Sequence, residues 1–153
     1  MVKAYRVLAY VLAGLVVVQA MAIAFALAGL GHWISHDHGV LDKKAYDAHP
    51  SFTGSVGFPI HAIDGEMVIP LVVLALLVVS RSTGIVGASR RALILLGLVV
   101  VQIFLGVISE DLPVAILFHA LNAFAIFAMA AAAGWRASAQ PAADAAVATP
   151  SLA

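Results

Sequence analysis

Phe58–Ser80 reads FPIHAIDGEMVIPLVVLALLVVS, and its two parts differ in character. From Met67 onward it carries no charge and is built of Val, Leu, Ile and Ala around one proline. About 20 apolar residues in a helix cross the roughly 30 Å hydrocarbon core of a bilayer. The stretch therefore reads as a membrane span. Its first residues are the exception: His61, Asp64 and Glu66 sit where polar groups are costly and need a reason to be present.

Working outward, three more stretches have this character: about Leu8–Leu30, Ala92–Ile108 and Pro113–Trp135. The first follows Lys3 and Arg6, as a signal peptide would, but it exceeds a signal h-region of about 7–15 residues. Across all 153 residues, 63% are hydrophobic and 10% charged, with a mean hydropathy of +1.07. A soluble domain carries about 25% charge. The expected fold is thus all-α, an integral membrane four-helix bundle. Its spans lie at about 8–30, 58–80, 92–108 and 113–135, with a longer outer loop over 31–57. The Ala- and Pro-rich segment 137–153 has no periodic apolar face and reads as a disordered tail.

Arg81, Arg90 and Arg91 lie between spans two and three, and Arg136 follows span four. With Lys3 and Arg6 they place both termini in the cytoplasm by the positive-inside rule. The zero formal net charge points away from nucleic acid as a partner. With no cysteine, the chain has neither disulfides nor thiolate metal sites. No Ser–His–Asp set, phosphate loop or nucleotide fingerprint is visible.

The spans repeat. Ala13–Gln19 (AGLVVVQ) matches Leu96–Gln102 (LGLVVVQ), and Ile60–Asp64 (IHAID) matches Phe118–Asn122 (FHALN). Each half is then a helical hairpin with a Gln in its first helix and a His in its second. His61 is 20 residues from Arg81 and His119 is 17 from Arg136, about 30 and 25 Å at the helical rise. Two imidazoles at similar depth on different helices suit the axial positions of one haem iron. Small residues beside them, Ala62, Gly65, Ala120 and Ala123, leave room for a macrocycle. The competing reading makes both histidines packing groups, hydrogen-bonded to Gln19 or Gln102. Asp64 and Glu66 read first as helix-start carboxylates favoured by the helix dipole. In the outer loop His32, His36 and His38 form a candidate metal site, with His32 and His36 at helical i, i+4 spacing. Lys43 and Lys44 are candidate contacts for haem propionates.

The segment Gly57–Gly134 resembles one half of the haem A synthase family. The resemblance lies in Ile60–Gly65 (IHAIDG), Leu98–Gly106 (LVVVQIFLG) and Leu117–Leu121 (LFHAL). It implies a four-helix unit with haem b held by His61 and His119, in a bacterial cytoplasmic membrane. Small uncharacterised four-helix bacterial membrane proteins with the same two histidines are similar too. The chain departs from the haem A synthase pattern in having one half, no paired cysteines, and Phe58 where that family places a Glu. The main expectation is a b-type haem protein for electron transfer or haem handling. Its partners would be the lipid bilayer and respiratory or haem-pathway membrane proteins. The alternatives are a non-haem accessory or assembly subunit, a small transporter, or a haem A synthase-like oxidoreductase acting as a homodimer.

Overall fold

The computed structural model describes residues 1–148. It contains α1 (Val2–Ser35), α2 (Lys43–Asp47), α3 (Gly57–Ile63), a π-helical turn (Asp64–Val68), α4 (Ile69–Ser80), α5 (Ala88–Ile108) and α6 (Ala115–Ala148). Four helical segments are long and apolar enough to cross a membrane: Val2–Ser35, Gly57–Ser80, Ala88–Ile108 and Ala115–Ala139. The chain is an all-helical four-helix membrane bundle.

α1 packs along α6 and also along α3 and α4, while α5 packs on α4 and α6. The spans thus close in the order one, two, three, four. We call the end with the termini and the turn after α4 the inner end, and the opposite one the outer end. The core lies toward the inner end, where Tyr5, Leu12, Val73, Leu76, Leu95, Val99 and Ile126 are almost wholly buried. Ala9, Ala92, Ala130 and Ala133 sit among them and let the backbones approach. Most other large apolar side chains, such as Phe104, Phe118 and Phe124, face outward as lipid requires.

The outer half of the second span packs mainly on α1. α3 and the π turn pack on α1, whereas only α4 packs extensively on α5. The α1 contact is unusually close: a Cβ on Gly57 would overlap the Ala22 carbonyl oxygen, and one on Gly29 the Thr53 carbonyl oxygen. Trp33 stacks on Phe52 at 5.6 Å and Phe52 meets Phe58 edge-on at 6.4 Å, so the returning loop folds back along the end of α1.

Three boundaries differ from the sequence expectation. α1 continues to Ser35, through residues assigned to the loop. The segment from Ala137, expected to be disordered, continues α6 as helix through Ala148. Its alanines have the highest helix propensity of any residue and need no apolar stripe to follow an existing helix. Residues 149–153 of that expected tail lie outside the described residues. The second span is also not one regular helix. Pro70 has no N–H and would crowd the Glu66 carbonyl in an unbroken α-helix. The chain widens instead, with the Ile69 N–H donating to the Asp64 carbonyl five residues back.

Candidate functional site

The second helix of each hairpin starts four residues before its histidine, α3 at Gly57 and α6 at Ala115. Both side chains therefore enter the bundle one turn below the outer end. There the two imidazoles meet, with ring centroids 6.1 Å apart and planes inclined at 46°. Both rings are partly buried.

Each ring is held by the first helix of its own hairpin. His61 Nδ1 lies 3.2 Å from the Gln19 carbonyl oxygen, and His119 Nδ1 lies 3.1 Å from that of Gln102. A carbonyl can only accept, so both Nδ1 atoms carry the hydrogen in these bonds. In the neutral ring that leaves the Nε2 lone pair free on each histidine. The repeat seen in the sequence is thus a repeat of geometry: the same atom of the same residue type binds the same backbone group in both hairpins.

A second tie follows one turn on. Gln19 Nε2 donates to the His61 carbonyl and to Asp64 Oδ2, each at 2.9 Å. Asn122 stands where Asp64 would be in the other hairpin. Its Nδ2 donates to the Leu98 carbonyl at 2.8 Å and to Gln102 Oε1 at 2.7 Å. The glutamine is the donor in one hairpin and the acceptor in the other, because a carboxylate can only accept while an amide can donate. Asp64 therefore does not act as an exposed helix-start group. It is 7% exposed, and its Oδ1 is buried without a protein partner. Glu66, two residues on, is exposed.

Close packing fixes the second ring further. A Cβ on Gly106 would meet His119 Cε1 at 3.3 Å and Nδ1 at 3.4 Å, so a larger residue there would press on the ring. Gly65 lies in the same way against the Gln19 amide.

The outer-loop candidates separate from this site. His32 and His36 stack on each other at the end of α1, 4.5 Å apart. His38 follows the helix end with φ 56°, and among the described residues no three of His, Asp and Glu gather as a metal-holding group. Lys43 lies on α2 and pairs with Asp47 at 3.7 Å, its side chain 91% exposed. Lys44 is exposed on the same short helix.

Two features were missed from sequence. The π turn had a signal, since Pro70 within an apolar run demands some adjustment. The role of Asn122 was hinted at only by its match to Asp64. Comparison with protein-family models, curated proteins and solved structures finds no match to this chain.

Proposed function

We propose that the chain is a membrane haem b protein in which His61 and His119 are the two axial ligands. The observation that carries the reading is the paired tautomer: two imidazoles 6.1 Å apart, each with Nδ1 spent on a backbone carbonyl. Histidine ligands characteristically donate their second ring N–H to such an acceptor, which fixes the ring and raises its basicity. Two imidazoles on opposite sides of one metal, each bonded at about 2 Å, have ring centres roughly 6 Å apart. The observed spacing of the ring centres agrees with that figure.

Room for a flat macrocycle is consistent with the packing. α3 packs on α1 and makes no extensive contact with α5. Phe58, Ala62 and Ile63 are exposed on α3. Haem supplies one-electron chemistry when bound. The protein's part is to hold both imidazoles in fixed tautomers, to keep water out with the apolar spans, and to leave no iron position open. Two protein ligands favour electron transfer or haem carriage over oxygen chemistry. Phe58, where the resembling family has a catalytic Glu, agrees with that.

The test is haem content. The full chain, purified in mild detergent with haem supplied, is expected to hold one haem per chain. His61→Ala and His119→Ala should each lower retention at least tenfold, with helical content unchanged by circular dichroism. Haem held equally well by both variants would overturn the ligand assignment.

A further inference from the structure

The histidine pair at the outer end of α1 lies outside this site. We propose that His32 and His36 form a binding site for a divalent transition-metal ion, with Cu(II) the most tightly held. It stands independently of the haem reading. The first support is the length of α1. Its 34 residues extend about 51 Å. His32 lies 13 residues beyond Gln19, so it stands about 20 Å above the paired-histidine layer. α5 ends only six residues beyond Gln102, about 9 Å above the same layer. The end of α1 thus projects past the other spans, and His32 and His36 are exposed there.

The second support is geometry. The His36 N–H donates to the His32 carbonyl at 2.9 Å, which locks the i, i+4 register at the helix end. The two rings are nearly parallel, at 16°, with centroids 4.5 Å apart. The stack brings both imidazoles to one side of the exposed helix end, and a turn of each ring about its side-chain bonds is what aims their nitrogens at one ion.

The third support is the tautomer of His36. Ser35 Oγ lies 2.7 Å from the Gly31 carbonyl and 2.7 Å from His36 Nδ1. The hydroxyl has one hydrogen, and the carbonyl can only accept, so that hydrogen goes to Gly31. Ser35 Oγ then accepts from His36 Nδ1–H. This leaves Nε2 with its lone pair outward and the ring held by a second partner, the arrangement a metal ligand needs.

Two imidazole nitrogens on an exposed helix end leave the other coordination positions to water. Cu(II) favours tetragonal nitrogen and oxygen sets and heads the divalent affinity order. The experiment adds Cu(II) alone to the full chain in detergent and follows it by electron paramagnetic resonance. One equivalent should bind with nitrogen splitting in its spectrum. His32→Ala and His36→Ala should each weaken binding at least tenfold. His38→Ala and His49→Ala, both exposed histidines of the outer loop, should bind as the parent does. Both substituted positions of the pair are exposed, so the helical content should not change. Binding that is unaltered in the His32→Ala/His36→Ala double variant would overturn the proposal, as would a parent protein that binds no Cu(II) at micromolar concentrations.

Discussion

At the residue scale, the site is built from six side chains (His61, His119, Gln19, Gln102, Asp64 and Asn122) and four backbone carbonyls. Gln19 and Gln102 serve twice, through the carbonyl that accepts from a histidine and through the amide that ties down the residue one turn on. Interhelical hydrogen bonds in a membrane are worth about 0.6–2 kcal/mol each, so the cluster stabilises the hairpins as well as aiming the rings. The rings themselves are aimed by close packing. Gly106→Val would put carbon atoms against His119, displacing the ring from the Gln102 carbonyl. We expect about tenfold weaker haem retention, the lower range for loss of a supporting contact around a metal ligand. Gly97→Ala is the control, since a Cβ there meets nothing within 4 Å. It should leave haem binding unchanged. If both substitutions behave alike in a haem titration, the Gly106 contact does not matter.

The histidine pair was legible in the sequence because lipid makes any polar group conspicuous. His61 and His119 stood out from apolar runs, and the glutamines at matching positions gave each its partner helix. Asp64 was less legible. Near a helix start a carboxylate normally caps or faces water, and only the approach of α1 decides otherwise.

At the scale of the elements, Pro70 determines how His61 is presented. The π turn between α3 and α4 inserts one extra residue before Pro70. Relative to a regular helix this turns everything on the outer side by about 100°. Pro70→Ala removes the reason for the wide turn. If the segment relaxes to an α-helix, His61 swings off the Gln19 carbonyl. The variant should fold, with unchanged helical content, and should lose haem more readily than the parent. Equal retention would show that the turn is held by the α1 contact and not by the proline. No hydrophobic pattern announces a π turn, because one extra residue in an apolar run leaves the run apolar. The helical continuation from Ala137 to Ala148 was likewise illegible, because a sequence of small residues has no stripe to read.

At the scale of the whole molecule, the tightly packed core lies toward the inner end, while at the outer end α3 packs on α1 without extensive contact to α5. Four crossings put both termini on one side of the membrane whatever the orientation. The basic residues favour the cytoplasm for that side. The chain has no cysteine, which makes this simple to check. Single cysteines at Ser82 and at His49 lie in turns at opposite ends. A membrane-impermeant thiol reagent applied to intact cells should label His49→Cys and spare Ser82→Cys. The reverse pattern would invert the topology, and with it the outward placement of both histidine pairs. Fold class and span positions were readable because span length follows from bilayer thickness. The close α1–α3 approach at Gly57 and the loop folded over Gly29 were not, since a glycine in an apolar run does not say what packs against it.

The central claim is that one iron sits between His61 and His119. The most direct measurement is the absorption and electron paramagnetic resonance spectrum of the ferric, full-length protein. A single low-spin, six-coordinate haem per chain is predicted, unmoved by carbon monoxide after reduction. A five-coordinate high-spin haem, no haem at all, or the same low-spin signal in the His61→Ala/His119→Ala double variant would contradict it.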